Sequence, residues 1–290
     1  MEFYKLTYYL ILFLIVNSCE NEQQVHNEEV PEVKPEIEIA KLKSVANSNF
    51  DSTRSVAKIA SDTLMIDPYH LGQLRNSYSE ETIDFSNEFI KTKTKEAFSY
   101  GVPVIENVKD YKFELNNLFL GKQVGVIGGE YWKIEMNLVE AKQSIINPLS
   151  IQVNGFSIVR GNKCNFKGEI TIESIFEIIE NFDYAGQGTL LCRYDFSEDK
   201  NQKYSGVFHG TLECSIVINH KSKIVQFDDA WAGADGYANR TYVGWWQDYK
   251  GKNKKKCIWG DDRLPYTFDF DIGIGEMIVS DKYKENGWQD

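Results

Sequence analysis

The residues best suited to chemistry gather near the C-terminus. Asp228-Asp229, Asp235, Asp261-Asp262, Asp269 and Asp271 form an accumulation of acid. Two carboxylates flanking a glycosidic bond hydrolyse it, one as acid and the other as base or nucleophile. Several carboxylate oxygens together hold calcium. Asp261 and Asp269 are thus candidates for a carboxylate hydrolase, and Asp261, Asp269 and Asp271 for a metal site. The run Asp269-Phe270-Asp271-Ile272-Gly273 has the first two acidic positions of a calcium loop but a glycine at the third. Solvated loop and strand-face acids are the competing reading. Nucleophilic catalysis has less to build on. The histidines are His26, His70, His209 and His220, and neither G-x-S-x-G nor H-E-x-x-H occurs, so the base and its partners have no recognisable frame. No catalytic residue is assigned and no cofactor is expected.

Aromatic residues crowd the same region: Trp231, Tyr237, Tyr242, Trp245, Trp246, Tyr249, Trp259 and Tyr266. Exposed Trp and Tyr anchor protein partners and stack on sugar rings. Trp231, Trp245, Trp246 and Trp259 are therefore the candidate ligand-binding residues, with packing in the core as the alternative. Trp245 and Trp246 are adjacent, so on a strand they face opposite sides. Lys250, Lys252, Lys254, Lys255 and Lys256 make a basic spot that could dock an anionic glycan or an acidic partner, or simply keep a hairpin tip soluble. The formal net charge of −11 argues against a nucleic-acid partner.

Residues Leu6 to Val16, LTYYLILFLIV, form an apolar run too short to span a bilayer and matching the core of an export signal. Val16-Asn17-Ser18-Cys19 follows, a small residue before a cysteine with an aliphatic residue three before it. This resembles the lipobox of bacterial lipoprotein precursors. The resemblance implies cleavage after residue 18, a diacylglyceryl thioether on Cys19 and acylation of its new amino group. Two or more acyl chains make a stable anchor, so the membrane is the expected first partner, with an unidentified protein or glycan as the second. Glu20, Glu22, Glu28, Glu29, Glu32, Glu36 and Glu38 then crowd a stretch with Pro31 and Pro35, which reads as a disordered, self-repelling tether. Cys19-Glu20-Asn21-Glu22 resembles the surface-export signal of some Bacteroidota lipoproteins, and the chain is similar in character to their uncharacterised envelope lipoproteins. The expected location is the outer membrane, with the leaflet open.

Cys19 aside, Cys164, Cys192, Cys214 and Cys257 remain. In an exported protein they are disulfide candidates, with buried thiols as the alternative.

The elements that must position these groups are read from periodicity. Residues 80–99 suggest one amphipathic helix ended by Gly101-Val102-Pro103. From about residue 108 the period becomes two. Residues 132–138 read as a strand. Residues 149–160 read as a hairpin turning at Asn154-Gly155. Residues 169–172 read as a strand with a helical turn over 175–179. Strands follow at 189–196, 206–219 and 223–227. A hairpin spans 240–249 and 256–260, and a last strand falls at 268–275. The segment Tyr242-Val243-Gly244-Trp245, with Trp246 next, has the G-x-W spacing of lipocalin-like barrels, but there it lies on the first strand and here near the C-terminus, so that family is not assigned. The organisation expected is a signal at 1–18, lipidated Cys and tether at 19–49, a mixed, partly helical region at 50–107, and an antiparallel β domain at 108–290. The fold class is mainly β, α+β overall, as a sandwich or barrel. Its function is expected to be non-enzymatic binding of a protein or glycan. The alternatives are a lipid-anchored glycan hydrolase and an immunity or inhibitor lipoprotein.

Overall fold

In the chain Phe85–Tyr100 forms helix α1, whose Phe85 and Phe89, four apart, share one buried face. The computed structural model describes residues 85–103, 105–178 and 186–289. The expected signal, Cys19, the tether and the first part of the 50–107 region lie outside the described residues. After α1 come β1 (Gly101–Pro103), a 3-10 turn (Ile105–Asp110), β2 (Lys112–Phe113) and the short helix α2 (Leu115–Phe119). The strands β3 (Gly121–Ile127), β4 (Trp132–Gln143), β5 (Ser150–Val159), β6 (Asn162–Ile178), β7 (Gln187–Glu198) and β8 (Gly206–Asn219) follow. The chain finishes with β9 (Ile224–Phe227), β10 (Ala238–Asp248), β11 (Lys254–Asp262) and a 3-10 turn (Asp281–Asn286).

Eight of these strands close on themselves. β3 to β8 pair in sequence, β8 pairs with β10, β10 with β11, and β11 returns to β3, every pair antiparallel. The fold is therefore an antiparallel β barrel rather than a sandwich, and closure removes the exposed sheet edges that an open sheet must protect. β9 lies outside the closed set, pairing with the last residues of β8 and with β2. The hairpin loops after β3, β5, β7 and β10 share one end, here the upper end. The β4–β5 loop and the β8–β10 connection share the lower end.

Alternation decides what fills the barrel. Trp259, Tyr242, Tyr194, Phe196 and Phe208 belong to one buried cluster with residues from all eight strands. Tyr242 stacks on Trp259 at 4.8 Å between ring centres and 14° between planes. The interior is a packed core, with the lower end covered by Val108, Phe113, Leu118 and Phe119. The opposite faces of β3, β10 and β11 bury Val126, Val243, Trp245 and Ile258 against α1 and the C-terminal segment through Phe85, Phe89, Phe268, Phe270, Tyr283 and Trp288. Among the described residues no helix is long and apolar enough to cross a membrane.

Several expectations change. Asn154-Gly155 is not a turn; it lies inside the continuous strand β5. A Cβ on Gly155 would sit 2.3 Å from the Asn137 carbonyl oxygen and 2.6 Å from Cζ of Phe166, so the glycine admits close approach of neighbouring strands. The turn falls at Arg160-Gly161, both with positive φ (51° and 77°), as a two-residue hairpin loop requires. Residues 175–178 are strand, continuing β6 after a bulge near Ile172. Residues 268–275 form no strand: Phe268 and Phe270 pack inward, while Ile272 and Ile274 are exposed. Alternation is present there, but backbone pairing is limited to a single antiparallel bridge between Asp271 and Val279. Cys164, Cys192, Cys214 and Cys257 are all free and buried, so the buried-thiol reading replaces the disulfide one. Lys256 is not part of a solvated tip. It is 2% exposed, and its Nζ donates to the Tyr266 carbonyl at 3.1 Å.

Candidate functional site

A bulge in β10 organises the lower rim. Asn239 pairs with Asp261 and Tyr242 with Trp259, so Arg240 and Thr241 face only Gly260 across the pair. Arg240 takes a positive φ of 39° there. Asn239 fixes the bulge: its side-chain oxygen accepts from the backbone N–H of Ser215 and of Arg240, each at 2.8 Å. The guanidinium of Arg240 then donates from Nε to Asp261 Oδ2 at 2.7 Å, from Nη2 to Asp261 Oδ1 at 3.0 Å and from Nη1 to the Leu120 carbonyl at 2.8 Å. Gln123 Nε2 donates to the same Asp261 at 3.1 Å. Burial works against the Arg240 charge, and the hydrogen bonds and charge of Asp261 outweigh it, so the guanidinium pKa is raised.

Beside this pair lie two adjoining clefts of about 500 and 440 Å³ that share Phe227 and Asp229. Together they make an open groove. The first is lined by Glu114, Asn116, Asn117, Gln226 and Arg240 around Phe227, over whose ring the guanidinium sits at 5.0 Å. The second continues past Gln123, Tyr237, Asp261 and Asp262. Gln226 donates to Glu114 at 2.9 Å. Among the described residues the side chains of Asn116, Asn117 and Asp229 make no hydrogen bond, which leaves two amides and a carboxylate open to a ligand. Burial, and then the charge of Asp261, raise the Asp262 pKa.

The expected site residues are dispersed. Of the acids, Asp229, Asp261 and Asp262 meet at the groove. Asp269 accepts from Lys282 Nζ at 3.0 Å and Tyr283 Oη at 2.9 Å, and Asp271 pairs with Arg263 at 2.8 Å. Asp261, Asp269 and Asp271 thus each serve different partners and do not form a metal site. Among the described residues no group of three or more His, Cys, Asp or Glu side chains is placed to hold one. The tryptophans diverge too. Trp259 is inside the barrel and Trp246 faces inward, its Nε1 donating to Glu198 at 3.0 Å. Trp245 faces the other way, as adjacency on a strand requires, but lies under Phe85 at 5.9 Å. Trp231 alone of the four is exposed, at 55%. The sequence reading missed Arg240, Gln123, Phe227 and the Asn116-Asn117 pair, none of which stands in a recognisable motif.

The class this defines is a closed eight-stranded antiparallel barrel with a filled interior and a polar groove on its lower rim. Comparison of the chain with protein-family models, curated proteins and solved structures finds no match.

Proposed function

We propose that the chain is a lipid-anchored envelope protein that binds a hydroxyl-rich ligand, a glycan, in the lower-rim groove without transforming it. The observation that carries the binding part is the groove itself: uncommitted amide and carboxylate groups of Asn116, Asn117 and Asp229 beside the Phe227 ring. Planar amides and carboxylates hydrogen-bond pairs of sugar hydroxyls. The preference for binding over hydrolysis is supported by Asp261, whose two oxygens are held by Arg240 and Gln123 and so are unsuited to acid or nucleophile duty. The hydrolase alternative named Asp261 with Asp269, and Asp269 is occupied by Lys282 and Tyr283. The anchor rests on the apolar run 6–16 and the lipobox-like residues ending at Cys19. It would hold the barrel at the outer membrane by acyl chains.

The test is a glycan array probed with the Cys19→Ser chain, repeated with Asp229→Ala and Asn117→Ala. Hits that fade in both variants support the groove. Hits that persist unchanged place the binding surface elsewhere.

A further inference from the structure

We infer that the upper rim of the barrel is a second docking surface, one for an anionic polysaccharide. It uses none of the groove residues and stands independently of the glycan reading above.

Three hairpin loops make this surface, and contacts between them join it into one face. Asn165 N–H donates to Gln202 Oε1 at 2.7 Å and Asn162 Nδ2 to the Lys203 carbonyl at 3.0 Å, tying the β5–β6 hairpin to the β7–β8 loop. The Tyr249 hydroxyl donates to the Glu198 carbonyl, tying the β10–β11 loop to β7. On this face stand Arg160 and Lys163, Lys200 and Lys203, and Lys250 and Lys252. Among the described residues none of these six has a carboxylate within ion-pair distance. The acids of the same loops are turned to other work. Asp199 accepts from Asn201 N–H at 3.0 Å, Asp248 from Lys252 N–H at 2.9 Å, and Glu198 is buried against Trp246 and Gly206.

Rings hold four of the cations in place. Arg160 lies over Trp132 at 4.1 Å, Lys163 over Phe156 at 3.6 Å, Lys200 over Tyr249 at 4.9 Å and Lys203 over Tyr204 at 4.7 Å. Stacking of this kind restrains long side chains while leaving their charge at the surface. On a chain of net charge −11 the cluster opposes the overall field, so a flexible anionic polymer is steered to this end of the barrel.

What accompanies the charge selects the occupant. A lipid surface rewards aliphatic side chains that dip below the headgroups, yet the exposed isoleucines Ile145, Ile146, Ile272, Ile274 and Ile278 are in the β4–β5 loop and the C-terminal segment. The upper rim pairs its cations with rings instead, Tyr204 being 71% exposed. Rings beside cations suit sugars that carry carboxylate, sulfate or phosphate groups.

The experiment measures binding of the Cys19→Ser chain to dextran sulfate, with neutral dextran and anionic phospholipid vesicles as the other two arms. Binding to dextran sulfate that weakens as salt rises is expected, with little retention on the other two. Lys200→Glu combined with Lys203→Glu, and separately Lys250→Glu combined with Lys252→Glu, should each weaken it by about tenfold. Asp229→Ala in the groove should leave it unchanged, and urea melts matching the parent keep a folding defect from mimicking the effect. Equal binding by parent and charge-reversed chains would overturn the proposal. So would equal retention on neutral dextran, no retention on any arm, or retention on vesicles as strong as on dextran sulfate.

Discussion

Arg240 grips Asp261 through two parallel hydrogen bonds, Nε to Oδ2 at 2.7 Å and Nη2 to Oδ1 at 3.0 Å. This pair braces the β10 bulge against the end of β11 and forms the wall between the two halves of the groove. Both side chains are 17% exposed, so their mutual attraction is only partly screened. Arg240→Ala is expected to cost about 2–3 kcal/mol, less than the full penalty for stranding a buried charge because some solvent contact remains. The Arg240→Ala, Asp261→Ala double variant should lose about 1 kcal/mol less than the sum of the singles. Urea unfolding of the three variants checks this, and strict additivity would contradict it.

Glu198 gives the barrel a pH dependence. Burial raises its carboxyl pKa, and hydrogen bonds from Ser157, Trp246 and Gly206 oppose the rise without cancelling it. As pH climbs, the unfolded chain ionises this group first, near 4.5. The contribution of the protonated form is therefore fully present below that value and is lost as pH rises through the higher folded value. Glu198→Gln removes the titration. Its stability relative to the parent should improve between acid and neutral pH, and urea melts at the two pH values read the difference. A constant difference would contradict it.

Two glycines in β5 and its hairpin test where the chain turns. Gly155→Ala forces a Cβ against the Asn137 carbonyl and the Phe166 ring, and should cost about 3 kcal/mol through strain between packed strands. Gly161→Ala meets open space and suffers only its φ of 77°, at about 1 kcal/mol. The opposite ranking in thermal melts would restore a turn at Asn154-Gly155.

The four buried thiols should resist modification in the native state. A Cys19→Ser chain treated with a maleimide is expected to label only after denaturation, then at all of Cys164, Cys192, Cys214 and Cys257. Reductant should leave its melting temperature unchanged. A mass deficit showing a disulfide in the native protein would contradict it.

The anchor has its own test. On the proposed lipid anchor, Cys19→Ser is expected to incorporate no radiolabelled palmitate and to leave the membrane fraction, because that anchor consists of acyl chains alone. Retention equal to the parent would put the anchor elsewhere.

Much of the barrel was legible because half-buried antiparallel strands print their alternation in the sequence. Residues 206–219 read as a strand and are β8, whose residues alternate between core and intermediate positions. The errors have physical causes. Asn154-Gly155 carries a turn signature, yet its glycine answers a contact with Phe166, which lies on the neighbouring strand and is invisible to local pattern. Phe268 to Gly275 alternates well, yet it pairs only through one bridge, Asp271 with Val279, and is otherwise held by Phe268 and Phe270 packing against the outer face of the barrel. Trp245, Trp246 and Trp259 looked like a recognition surface because aromatic residues serve cores and surfaces alike. The groove was illegible for another reason. Glu114 and Asn117 at α2, Phe227 on β9 and Arg240 on β10 come from three separate segments that meet only when the barrel closes, and the bulge that aims Arg240 leaves no local mark.

The claim that the groove binds a glycan while the filled barrel only supports it is tested most directly by calorimetric titration with the strongest array hit. The account predicts that Asp229→Ala and Asn117→Ala each weaken binding by about tenfold, the loss of one well-placed hydrogen bond to a ligand, whereas Tyr204→Ala on the opposite rim leaves it intact. Unchanged affinity in both groove variants, with the ligand still bound, would contradict it.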